Sequence, residues 1–61
     1  MTPGNFYRVT AMRGKPITYL GEYVGWVVED GVRREGFHLE DKEKPVWEVK
    51  ILECKQVRRK Q

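Results

Sequence analysis

An aspartate followed by a glycine at positions 30 and 31, between two runs of β-forming residues, restricts the fold of this chain more than any other feature. A two-residue hairpin loop of type I′ needs positive φ at both central positions, and Asp-Gly meets that need. With the turn placed there, Glu29 faces Val32, Val28 faces Arg33, Val27 faces Arg34, Trp26 faces Glu35 and Gly25 faces Gly36. Carried onward without interruption, the register sets Val24 against Phe37, Tyr23 against His38 and Glu22 against Leu39. One face then holds Val24, Trp26, Val28, Phe37 and Leu39 and is expected to be core. The other holds Tyr23, Val27, Arg34 and His38 around a bare pair of glycines. A bulge at either glycine shifts the assignment by one residue and exchanges the faces.

The chain holds four apolar runs, two of which form this hairpin. Phe6 to Met12 is rich in β-formers and closes at Gly14-Lys15-Pro16. Ile17 to Glu29 is long, and Gly21 and Gly25 inside it read as bulges or bends where a sheet turns a corner. After Val32 to Glu40, the charged loop Asp41-Lys42-Glu43-Lys44-Pro45 leads into a fourth run from Val46 to about Cys54. There Trp47, Val49 and Ile51 alternate with Glu48 and Lys50, the period of a half-buried strand with its apolar side inward. From Leu52 the alternation fails. A helical turn, a short last strand through Val57 and a longer helix from Glu48 to Lys60 are three open readings of that end. The whole pattern is mainly all-β, an antiparallel curled sheet or small barrel of four to five strands. It forms a single domain over residues 1–61, with a flexible lead-in at 1–5 and a basic tail at 58–61.

With 61 residues and Cys54 as its single cysteine, the chain has no internal disulfide to stabilise a small core. A lone thiol suits a reducing cytoplasm, and the polar Met1-Thr2-Pro3-Gly4-Asn5 start carries no signal or membrane-spanning pattern. Cys54 itself reads as a small buried or half-buried apolar residue. One histidine and one cysteine supply no zinc ligand set, and no cofactor motif or catalytic constellation stands out, so a binding module is expected rather than an enzyme.

Net charge is +3, unevenly spread. Residues 1–28 carry Arg8, Arg13 and Lys15 against Glu22, for +2; residues 29–48 hold four basic and seven acidic side chains, for −3. Residues 49–61 hold Lys50, Lys55, Arg58, Arg59 and Lys60 against Glu53, for +4. Basic ends favour a polyanionic partner. The expected nucleic-acid contacts are Arg8, Arg13, Lys15, Lys55, Arg58, Arg59 and Lys60 on phosphates. Tyr23 and His38 would stack, and Arg33 or Arg34 would read shape or backbone. An adaptor that docks a protein through Glu40–Glu43, exposed aromatics or an edge strand is the alternative, and a homodimer is compatible with either.

The segments Gly21-Glu22-Tyr23-Val24-Gly25-Trp26 and Glu35-Gly36-Phe37-His38-Leu39-Glu40 resemble the plasmid-encoded type II dihydrofolate reductases, with Arg8-Val9 and Gly14 echoing the preceding strand. The resemblance spans residues 21–40 and implies a Src-homology-3-like barrel. The Val-Gln-Ile-Tyr segment that lines that family's active pore has Trp47-Glu48-Val49-Lys50 as its nearest counterpart here, without the glutamine or the tyrosine. The resemblance therefore speaks to the barrel, and a reductase stands third among the functional expectations.

Overall fold

Tyr7, Val9 and Ala11 are buried and alternate with Arg8, Thr10 and Met12, the period of two that makes Phe6–Arg13 a strand with one face in the core. This is β1 of a computed structural model that describes residues 1–58. Four more strands follow: β2 Lys15–Glu29, β3 Val32–His38, β4 Val46–Glu48 and β5 Ile51–Val57. They form one antiparallel sheet in the order β4-β3-β2-β1-β5, as expected of a small mainly-β chain. No helix among the described residues is long and apolar enough to cross a membrane.

The Asp30-Gly31 turn has positive φ at both residues, 54° and 76°. The pairing it sets holds from Glu29↔Val32 to Gly25↔Gly36. There it slips. Gly25 lies at φ 121°, and the register shifts between Tyr23 and Gly25, so that Tyr23 pairs with Phe37 and Glu22 with His38. The extra residue Val24 makes a β-bulge, and every residue before it changes face relative to the uninterrupted register. Tyr23, expected outside, is therefore core at 2% exposure beside Phe37. Val24, Trp26 and Val28, expected inside, are exposed; Trp26 is 53% and Val28 59% accessible. The glycine pair is not bare either. The Trp47 ring lies over Gly36 so closely that an added Cβ would sit 2.5 Å from it.

The core consists of Tyr7, Val9, Ala11, Tyr23 and Phe37, with Tyr19, Leu39, Val46, Ile51 and Cys54 packed against it. Three of its contacts are tilted or edge-on aromatic pairs: Tyr7–Tyr23 at 6.2 Å, Tyr23–Phe37 at 5.5 Å and Tyr19–Phe37 at 6.3 Å between ring centroids.

The fourth apolar run divides into β4 and β5, and of the three readings of the chain's end the strand through Val57 is the one observed. The inward side of β4 is the reverse of the expected one. Trp47 and Val49 are exposed, whereas Glu48 is buried at 3%. What lies across the sheet explains this. Arg13 donates to Glu48 from Nε (3.2 Å) and Nη2 (2.8 Å), and the Tyr19 hydroxyl donates to the same carboxylate. β1 and β4 stand three strand spacings apart in the ladder, about 14 Å in a flat sheet. Side-chain contact between them requires the sheet to curl. Where the chain passes from β4 to β5, Met12 N donates to Lys50 O at 3.1 Å and draws the two ends of the curl together.

The lead-in is pinned rather than loose. Gly4 N donates to Tyr23 O, Tyr23 N to Asn5 O, and Thr2 N to the Tyr7 hydroxyl.

Candidate nucleic-acid interface

Because Tyr7, Val9 and Ala11 point inward, their neighbours Phe6, Arg8, Thr10 and Met12 point outward, and the ladder fixes what stands beside each. Arg8 pairs with Leu20 on β2 and with Lys55 on β5. Paired residues share a face, so Lys55, Arg8 and Leu20 form one row across three strands. The next row reads Val57, Phe6, Glu22 and His38. Between these rows lies a cleft of about 600 Å³, lined by Phe6, Arg8, Leu20, Val57 and Arg58, with Glu22, His38 and Glu40 also on its wall. A second hollow of about 520 Å³ shares Phe6, Val57 and Arg58.

Four of the expected residues thus come together. Arg8, His38 and Arg58 line one cleft, and Lys55 stands beside Arg8 at a paired position. The basic ends of the sequence converge because β1 and β5 are partners in the sheet.

The other candidates are elsewhere. Tyr23 is inside the core and donates its hydroxyl to Glu35 Oε1 at 2.6 Å, so it offers no ring for stacking. Burial and that bond raise the phenol above its ordinary value. Arg13 holds Glu48 in a bidentate pair that lifts the guanidinium further above its usual range. Arg33 packs over the Trp26 ring at 4.3 Å and donates from Nε to Glu35 Oε2 at 2.7 Å. Arg34 emerges on the opposite face of the same strand, its Nε 3.4 Å from Glu29 Oε1. Lys15 stands at the far tip of the β1–β2 hairpin, opposite Arg13. Arg59 and Lys60 lie outside the described residues.

Phe6, Leu20 and Val57 were not among the expected contacts, although β1 carries a usable signal for one of them. Once Tyr7, Val9 and Ala11 are taken as the inward set, Phe6 must share a face with Arg8. Leu20 and Val57 join them through strand pairings between distant segments, which local sequence does not encode.

Cys54 sits half-buried on the inner side of β5, its Sγ 3.2 Å from Met1 Sδ, and burial pushes its thiol up. A raised thiol is a poor nucleophile, in keeping with a packing role.

Comparison with protein-family models, curated proteins and solved structures finds no match to this chain.

Proposed function

We propose that the chain is a small, non-enzymatic module that binds single-stranded nucleic acid across the outward face of β5, β1 and β2. The observation that carries this reading is the side-by-side placement of Arg8 and Lys55, next to a cleft floored by Phe6, Leu20 and Val57 and rimmed by Arg58 and His38. Single strands are bound where cations track the phosphates and a ring or apolar surface receives the bases. In this arrangement Lys55, Arg8 and Arg58 take phosphates, Phe6 and His38 take a base face, and Glu22 and Glu40 accept from base amino groups. The stacking role assigned to Tyr23 in the sequence passes to Phe6, which the alternation of β1 places on the outward face. The same reading takes the curled sheet as a Src-homology-3-like barrel working in the cytoplasm. Barrels of that kind host unrelated roles, so the surface and not the fold supports the proposal.

Fluorescence anisotropy with labelled single-stranded DNA and RNA, titrated at rising salt, tests it. Binding is expected at low salt, with the logarithm of affinity falling linearly against the logarithm of salt. Each phosphate contact contributes a slope of about −0.7. Replacing Arg8 and Lys55 together with alanine should flatten the slope by about 1.4. Absence of binding at low salt, or an unchanged slope in the double variant, overturns the proposal.

A further inference from the structure

The β2–β3 hairpin continues well beyond the body of the sheet. Pairing of β1 with β2 stops at Phe6↔Glu22, and β4 reaches only Glu35, Gly36 and Phe37 of β3. From Val24 to Glu29 and from Val32 to Arg34, two strands therefore run on as a ribbon with no further strand of the described chain on either edge. The molecule is correspondingly long, 38 × 23 × 21 Å.

This ribbon is apolar where it is uncovered. Its inner face extends the core side of the sheet, because Trp26 pairs with Glu35 and Val28 with Arg33. Trp26 and Val28 are more than half exposed there, and Val27 and Val32 are exposed as well. A two-stranded ribbon is marginal by itself in water, and a chain of this size with five core side chains among the described residues and no disulfide lacks apolar burial. We infer that the ribbon is the contact between two copies of this chain, packed inner face to inner face about a two-fold axis, with Trp26 and Val28 of each copy at the centre.

Charge favours a second copy over a foreign partner. Along the inner face one row carries acidic Glu35 and the next carries basic Arg33, two residues apart on β3. The two are bonded to each other within one chain at 2.7 Å, and a two-fold axis between the rows sets that pair antiparallel to its copy, the Arg33 end of each beside the Glu35 end of the other. An isologous surface is self-complementary in just this way. A uniformly acidic or basic partner would match one row and oppose the other. The cleft at Arg8 and Phe6 lies on the outward face and stays open, so association and nucleic-acid binding are separable.

Sedimentation equilibrium of the full chain from low-micromolar to sub-millimolar concentration is the test, alongside melting curves at the same concentrations. The wild-type chain should pass from monomer to dimer, and its melting temperature should rise with concentration. Val28→Glu should weaken association by about tenfold or more while the β-sheet circular dichroism persists, because that side chain is already 59% exposed. Leu52→Glu, an exposed apolar position on β5 away from the ribbon, should leave association unchanged. A wild-type chain that stays monomeric throughout with a concentration-independent melt overturns the inference. So does a Val28→Glu chain that associates as tightly as wild type, or a Leu52→Glu chain that loses association equally.

Discussion

Two carboxylates inside this sheet are each held by one tyrosine and one arginine. Glu48 receives Tyr19 and Arg13, Glu35 receives Tyr23 and Arg33, and the two glutamates are partners across β3 and β4. A buried carboxylate is tolerated when its oxygens are fully hydrogen-bonded, and at Glu48 the donors on β1 and β2 also tie strands that the backbone ladder leaves apart. The tyrosines bear the consequence. For Tyr19, desolvation and then the bond to Glu48 push the phenol far above its ordinary value of 10.0; for Tyr23 burial and Glu35 act the same way. Each phenol therefore keeps its proton more firmly in the folded chain than in the unfolded one. The stability this contributes is complete below about pH 10 and is lost as the pH rises beyond it, since the unfolded chain then releases protons that the folded chain retains. Urea unfolding should show a midpoint that falls as the pH rises from about 10 to about 12, with a slope approaching about 1.4 kcal/mol per pH unit for each phenol. Tyr19→Phe combined with Tyr23→Phe should remove most of that slope. A double variant with the wild-type slope would show that other groups cause the alkaline loss.

Among the elements, β2 decides the architecture, because its first half pairs with β1 and its second half with β3. The bulge between these halves turns Tyr23 into the core, whereas Trp26 and Val28 keep the core side of the sheet and are exposed because no other strand of the described chain covers them there. Gly25, at φ 121° with open space where a Cβ would go, makes the bulge possible. Gly25→Ala should therefore destabilise by about 1–2 kcal/mol through backbone strain alone, with no clash to relieve. A urea midpoint equal to wild type would contradict that account of the bend. The Asp30-Gly31 turn and the pairing from Glu29 to Gly25 were legible in the sequence because turn chemistry is local. The bulge was foreseeable as a possibility but not at a position: Gly21 and Gly25 both invite a bend, and nothing local distinguishes them. The inversion of β4 was not legible at all. Trp47, Val49 and Ile51 alternate correctly for an inward apolar face, and only Arg13 and Tyr19, distant in sequence, make Glu48 the residue that turns in. The candidate interface was legible in the same partial way. Its cations stood out as basic ends, whereas their convergence depends on β5 returning beside β1.

At the scale of the whole molecule, two exposed surfaces lie apart from each other. The outward face of β5, β1 and β2 carries cations around an apolar cleft, and the ribbon of β2 and β3 carries exposed apolar side chains with balanced charge. A monomer with so small a core has little stability in reserve, which ties the ribbon to association and leaves the cleft for the ligand. The most direct test of that division is amide chemical-shift mapping of the isotopically labelled chain, titrated with a short single-stranded oligonucleotide at fixed protein concentration. The account predicts the largest shifts at Phe6, Arg8, Leu20, Lys55 and Val57, with Val27 to Arg33 unmoved. Shifts concentrated on the ribbon, or none at saturating oligonucleotide, would contradict it.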